Sequence, residues 1–319
     1  MLLQRRVNSG GLVMVDMSRR DVIGATLDAG ETASVTTGPR MQAPQRSILI
    51  TGCSSGIGYH CARALHERGG WRVFATCRKQ EDADRLAGEG LEALCLDLAD
   101  SQSIAAAVAE ILRRTGGKLD ALFNNGAYSQ PGAFEDVPTD NVRKLFETNF
   151  FGWYELTRQV LPVMRKQGHG RIVNCSSVLG FLAVRFMGAY AATKHAVEGW
   201  TDTLRLELQG TGIEAIILQP GPIYTRMLDN ARGHFINTVD VRNSRFRGDY
   251  GRELSKYASG NRANSFKRGP EAVAQKLFHA LEDAHPRARY RVTIPTLVGA
   301  WLKRLLPTRI MDRVLLQQR

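Results

Sequence analysis

Tyr190 and Lys194 stand four residues apart in the run Tyr-Ala-Ala-Thr-Lys. On a helix that spacing sets an ammonium beside a phenol. A cation there stabilises phenolate and lowers the tyrosine pKa toward a range useful for proton transfer. Upstream, Ser177 closes an apolar run and offers a hydroxyl that can hold a substrate oxygen. Alone, such a tyrosine–lysine pair is common on solvated helix faces. Here it follows a second feature.

That feature is the run Thr51-Gly52-Cys53-Ser54-Ser55-Gly56-Ile57-Gly58, directly after Ser47-Ile48-Leu49-Ile50. Glycines between a short strand and a helix let the backbone approach a pyrophosphate, and the helix N-terminus adds free N–H groups and a positive dipole end. The same glycines also suit a plain tight turn; the strand–loop–helix setting favours the binding reading. The next apolar run ends Ala75-Thr76-Cys77-Arg78-Lys79. A dinucleotide with a free 2′-hydroxyl is commonly held by a carboxylate at that place. None is present, and the Arg78 guanidinium can grip a 2′-phosphate with paired charge-assisted bonds. The pattern predicts NADP(H), the other reading being that Arg78 and Lys79 are ordinary surface cations.

Elements must bring these groups together. Strands are predicted at 47–50, 71–76, 93–96, 119–124, 171–175 and 213–218, with a further one at 290–294. Helical periods are predicted at 58–68, 104–113, 142–166, 190–208 and 271–284. Pro162 falls late in the 142–166 period and predicts a kink or an early stop there. Steady alternation of strand and helix argues for a parallel sheet covered on both faces. Residues 225–267, rich in Arg, Asn and Gly, read as one or two small helices among loops. Residues 1–45 lack either period and are expected to be a disordered or non-native N-terminal extension, with Met41 as a candidate internal start.

Composition narrows the class. The 319 residues, 43% hydrophobic and 23% charged, suit a globular chain that needs no disulfides. Five scattered cysteines without a CxxC pair suit a reducing, cytoplasmic compartment and read as small buried hydrophobes. No metal-ligand spacing is present. Residues 226–319 hold 19 Lys/Arg against 8 Asp/Glu, which accounts for nearly all of the net charge of +12. Without a nucleic-acid motif, this basic third reads as solvated surface, and no nucleic-acid partner is expected. No apolar run is long enough to span a membrane.

The chain as a whole resembles the short-chain dehydrogenase/reductase family over residues 46–295. The resemblance rests on Thr51–Gly58, Asp97, Asn124-Asn125-Gly126-Ala127, Asn149, Ser176-Ser177, Tyr190/Lys194 and Pro220-Gly221-Pro222-Ile223. It implies an α/β fold of the Rossmann type: a doubly wound, parallel, seven-stranded sheet in three α/β/α layers. The implied reaction is hydride transfer between NADP(H) and a carbonyl or alcohol. Tyr190 would be the general acid/base. Lys194 would lower its pKa and hold the nicotinamide ribose, and Ser177 would polarise the carbonyl. Asn149 would position a water linking Lys194 to solvent. Gly52, Ser54, Ser55, Gly56, Ile57, Gly58 and Arg78 would line the phosphate side. Asp97 and Leu98 would contact the adenine, and Asn124 would support sheet and cofactor. Pro220, Gly221, Ile223 and Thr225 would border the carboxamide and phosphates. The family's usual Asn-Asn-Ala-Gly reads Asn-Asn-Gly-Ala here, which predicts an altered turn beside the cofactor.

Within the family, Val73–Arg78 and the long region after Pro220 look most like the 17β-hydroxysteroid and retinol dehydrogenase-like group. That implies an apolar substrate, with Phe181, Leu182, Phe186, Met187 and Met227 around the pocket or simply in the core. The family's pairing of long helices implies a homodimer or homotetramer. An NADP(H)-binding sensor or scaffold without turnover is the alternative from another class. In the C-terminal segment, 296–319, residues Leu297, Val298, Trp301, Leu302 and Leu305 fall at helical spacing. This stripe is expected to pack on the protein's own body or on a sister subunit, with weak membrane-surface contact as the other use.

Overall fold

The computed structural model describes residues 45–258 and 266–317. The reading of 1–44 as an extension, with its internal start, lies outside the described residues. Seven strands form one parallel sheet: β1 (Arg46–Ile50), β2 (Trp71–Cys77), β3 (Glu92–Cys95), β4 (Ala121–Asn124), β5 (Gly170–Cys175), β6 (Ile213–Gln219) and β7 (Arg289–Arg291). Their order is β3-β2-β1-β4-β5-β6-β7. Central strands such as β1, β4 and β6 read as nearly continuous apolar runs because both faces are covered. The order reverses between β1 and β4, and loops at the carboxyl ends there flank the crevice where such sheets bind ligands.

Helices α1 (Gly56–Arg68), α2 (Gln80–Gly88), α3 (Ser101–Thr115), α4 (Thr139–Phe146), α5 (Gly152–Gln167) and α6 (Gly188–Glu207) connect the strands, and α7 (Met227–Thr238), α8 (Arg247–Ala258) and α9 (Glu271–Glu282) follow β6. Helix α1 packs on α9, whereas α3 packs on α5. Helices α10 (Ile294–Leu305) and α11 (Thr308–Gln317) end the described chain. Helix α2 escapes sequence reading because only Ala83 and Leu86 are buried, too few apolar positions to set a period.

The single helix expected over 142–166 is instead α4, a π turn at Glu147–Phe151, and α5. No stop occurs at Pro162; α5 runs on to Gln167 and ends at Gly168, whose φ of 74° is left-handed. Pro162 is exposed, so the carbonyl its ring frees can meet water. The irregularity falls five residues wide around Asn149, where a π turn re-aims a buried side chain.

A second, smaller core ties α7 and α8 to the loop after β4: Ala133, Val137, Phe235, Val239 and Tyr250, with Phe186 and Phe246 packed against it. Tyr250 accepts from the Ala133 N–H at 2.7 Å and donates to Asp136 at 2.5 Å. Phe186 holds φ at 66°, a left-handed conformation costly for an aromatic residue, and its ring is clasped by Phe246 and Tyr250.

Candidate active site

At the carboxyl end of β1 the glycine loop folds against the loop after β4. A Cβ on Gly52 would stand 2.5 Å from Gly126 Cα, and one on Gly58 would stand 2.4 Å from the Gly52 carbonyl oxygen. Gly126 has no left-handed φ, so the shifted glycine of Asn-Asn-Gly-Ala serves close approach to Gly52 rather than a special turn. The Thr51 hydroxyl accepts from the Asn125 and Gly126 N–H groups, both at 2.9 Å, and locks the two loops together. Helix α1 starts at Ser55, whose side chain does not cap it. Its first-turn N–H groups therefore remain free for an anion.

At the end of β5, the Ser177 hydroxyl accepts from the Leu179 N–H at 3.1 Å and lies beside the Tyr190 phenol, where it favours the phenolate. Helix α6 carries Tyr190 and Lys194 on one buried face. The Lys194 ammonium donates to the Cys175 carbonyl at 2.8 Å and sits over the Trp153 ring at 4.2 Å. Burial pulls its pKa down to about 8, against the pull of Cys175 and nearby Glu198. The expected lowering of the Tyr190 pKa is not what the structure shows. Burial drives that phenol well above its ordinary value, and the Ser177 hydroxyl opposes it only in part. Lys194 points to the Cys175 carbonyl, and desolvation of the phenol outweighs its field.

These groups share one cavity of about 460 Å³. Of the residues singled out in the sequence, Gly52, Ser54, Ser55, Gly56, Ile57, Ser177, Tyr190, Lys194, Pro220, Gly221, Ile223 and Thr225 line it. Gly58 lies behind the loop, against the Gly52 backbone. Leu98 is buried against Gly126 and Gly152, and Asp97 holds the turn after β3 by accepting from the Ala99 N–H. Asn124 donates across the sheet to Asn174 and Thr157. Asn149 receives the Tyr128 N–H and donates to the Tyr128 carbonyl and the Thr193 hydroxyl, which in turn donates to the Tyr190 carbonyl. Its amide thus braces the Tyr190 turn without touching Lys194.

Arg78 is exposed beyond β2 and makes no ion pair among the described residues, yet its charge reaches Tyr128 and His234, which stack at 4.5 Å. Of the apolar residues expected around the pocket, Met187 and Met227 line it. Phe181 and Leu182 face α10 instead, and Phe186 belongs to the smaller core. Sequence reasoning missed Tyr128 and Ser129, which also line the cavity; the buried Ser129 hydroxyl has no hydrogen-bond partner among the described residues. They belong to no motif, and only the fold carries the loop after β4 across the cavity. All five cysteines are free; Cys53, Cys61, Cys77 and Cys175 are buried, and burial raises their thiol pKa values, as expected of small hydrophobes.

Comparison with known proteins agrees with this geometry. Residues 46–234 match the family model described as short chain dehydrogenase. The chain is 38% identical over 285 residues to the uncharacterized oxidoreductase YbbO of Escherichia coli, covering 89% of this chain and 98% of that one. It is 33% identical over 280 residues to retinol dehydrogenase 16 of Mus musculus, covering 84% and 87%. A solved actinorhodin polyketide ketoreductase with NADPH superposes with a TM-score of 0.65 at 30% identity, over 79% of this chain and 97% of that one. Solved neighbours include complexes with NADP and with NAD. On motif, sheet order and relatives alike, this chain belongs to the short-chain dehydrogenase/reductase family of oxidoreductases, on its retinol dehydrogenase-like side.

Proposed function

We propose that the chain is an NADP(H)-dependent oxidoreductase that interconverts a carbonyl (aldehyde or ketone) and an alcohol on an apolar small molecule. The observation that carries this reading is the meeting of the Tyr190 phenol, the Ser177 hydroxyl and the Lys194 ammonium in one cavity with an uncapped, glycine-lined helix start. A dinucleotide fits that start, because side chains at Gly52 and Gly58 would collide with backbone and the approach stays open. Bound nicotinamide supplies the hydride chemistry. Gly52, Ser54, Ser55, Gly56 and Ile57 would hold its phosphates, and Arg78 the 2′-phosphate. Asp97 and Leu98 would border the adenine, and Pro220, Gly221, Ile223 and Thr225 the carboxamide side.

The proton is handled by the protein. In the reducing direction Ser177 donates a hydrogen bond to the carbonyl oxygen, and Tyr190 gives its proton to the developing alkoxide. The phenol's high pKa keeps that proton in place until the oxygen becomes basic. The Lys194 ammonium then steadies the phenolate, and Asn149 holds the turn that carries both, with a water completing the path to solvent. Met187 and Met227 offer adaptable apolar surface for the rest of the substrate. The free cysteines support a reducing, cytoplasmic setting. Exposed rings of Phe151 and Tyr154 on and beside α5 support association as a homodimer or homotetramer.

The test is oxidation of NADPH against NADH over a panel of apolar aldehydes and ketones, for the wild type, Arg78→Ala and Tyr190→Phe. A strong NADPH preference, eroded in Arg78→Ala, is expected. Tyr190→Phe should retain cofactor affinity and lose about 10²–10⁴-fold in turnover, as for loss of a general acid. Near-normal turnover in Tyr190→Phe refutes the mechanism. Tight NADPH binding without turnover by the wild type would favour the sensor reading.

A further inference from the structure

Helix α10 does not pack its apolar stripe on the described body of the chain. Its body-facing residues are the small ones: Thr296 is fully buried, and Gly299 sits so close to the Ser177 side of the molecule that a Cβ would stand 2.7 Å from Leu182 Cδ1. The large apolar residues point away. Ile294 is 53% exposed, Leu297 46%, Val298 48%, Trp301 56% and Leu305 71%. At 100° per residue these five form one stripe on the side opposite Thr296 and Gly299. The next helix continues the pattern: Met311 is buried, while Ile310 and Leu316 are exposed. Arg304 flanks the stripe of α10, and Arg309 and Arg313 lie beside Ile310 and Leu316 on α11, whereas Lys303 stands a heptad from Thr296 on the other side; all four are exposed and none is in an ion pair among the described residues, with Asp312 the one carboxylate of the two helices.

We infer that α10 and α11 form a docking surface for an anionic lipid bilayer. An exposed apolar stripe centred on a tryptophan and fringed by unpaired cations matches a headgroup–acyl boundary in both polarity and charge. A second copy of this face matches it poorly, because a two-fold contact would set its unpaired cations against one another. Nucleic acid would satisfy the cations and leave the five apolar side chains in water. Each basic residue near an anionic surface is worth about fivefold in partitioning, so Arg304, Arg309 and Arg313 together make a shallow apolar contact stable at moderate salt. The surface stands on the far side of α10 from the short 3₁₀ turn (Val178–Gly180) and Leu182 that follow Ser177. Docking there holds the cavity's Ser177 wall one helix away from the bilayer, where apolar alcohols and carbonyls concentrate.

The experiment is flotation of the full chain with vesicles of phosphatidylcholine, alone or mixed with phosphatidylglycerol, together with tryptophan emission. It reads no turnover, so its outcome is independent of the catalytic proposal. The protein is expected to float with the mixed vesicles and to show blue-shifted emission that Trp301→Phe abolishes. Binding should weaken between about 0.1 M and about 1 M salt, as the screening length falls from about 10 Å to about 3 Å. Trp301→Glu with Leu305→Glu should stay at the bottom while binding NADPH as the wild type does. Arg304→Glu with Arg309→Glu should bind at least tenfold more weakly.

Failure of the wild type to float with either vesicle overturns the inference. So does equal flotation of the Trp301→Glu/Leu305→Glu variant, or a halving of the molecular mass by that variant, which would make the stripe a subunit contact. Flotation that appears only after residues 1–44 are removed overturns it too, by assigning the stripe to a cover within the chain.

Discussion

Lys194 is the residue on which the proton chemistry turns. Its pKa of about 8 means that the ammonium is present below that pH and lost above it. Tyr190, raised by burial, keeps its proton throughout the same window. The phenol therefore does not set the alkaline limit; the loss of the charge that must stabilise phenolate does. In the reducing direction kcat/KM should fall as pH rises through about 8. In Lys194→Arg, whose guanidinium stays charged, the inflection should vanish at a lower overall rate. A wild-type profile that stays flat to a pH of about 10, the range of an ordinary lysine, would remove Lys194 from this role.

Elements act here by close approach. The π turn between α4 and α5 aims Asn149 at the Tyr128 backbone and delivers Gly152 onto the backbone of Leu98. A Cβ at position 152 would stand 2.1 Å from the Leu98 carbonyl oxygen, and backbone cannot step aside. Gly152→Ala should cost about 1–3 kcal/mol, the usual range for overpacking, read as a lower midpoint in denaturant unfolding. The buried hydroxyl of Tyr250 in α8, between Asp136 and the Ala133 N–H, helps fasten this part of the chain to the loop after β4. Tyr250→Phe leaves the ring in its aromatic cluster, strips the buried Ala133 N–H of its partner and leaves Asp136 with the Ser244 hydroxyl, a loss of about 1–3 kcal/mol. Because Met227, Leu228 and Ala231 of α7 line the cavity, that variant should raise KM more than it lowers kcat. An unchanged KM would show that this fastening does not shape the substrate side.

At the scale of the whole molecule, apolar side chains gather on two exposed faces among the described residues. One is the outward stripe of α10. The other gathers Phe150, Phe151, Tyr154 and Trp200 in ring contact where α5 meets α6, with Phe151 and Tyr154 about half exposed. Rings packed edge-on and tilted against one another yet open to water fit a subunit contact, since the pairing energy is already in place and only the area remains to be buried. Phe151→Glu with Tyr154→Glu should shift the protein to a monomer in light scattering, without loss of NADPH binding. A monomeric wild type would end the oligomer reading.

The parallel sheet was legible in the residues because most strands are short apolar runs that alternate with helices, whereas the strand order came only from the fold, and β7 is Arg289–Arg291 rather than 290–294 because Ile294 already opens α10. The glycine loop, Ser177, Tyr190 and Lys194 were legible because their chemistry depends on spacing along a strand end and one helix face, which sequence records directly. Tertiary structure decided what depends on distance across the chain. It gave Gly126 its reason in Gly52, broke the long helix at Asn149 instead of Pro162, and let desolvation, not Lys194, govern the Tyr190 phenol. It also turned the apolar stripe of α10 outward. Periodicity shows that a helix has an apolar face, but which face meets the body depends on how close the neighbours come, and at Gly299 a Cβ would have to push Leu182 Cδ1 aside.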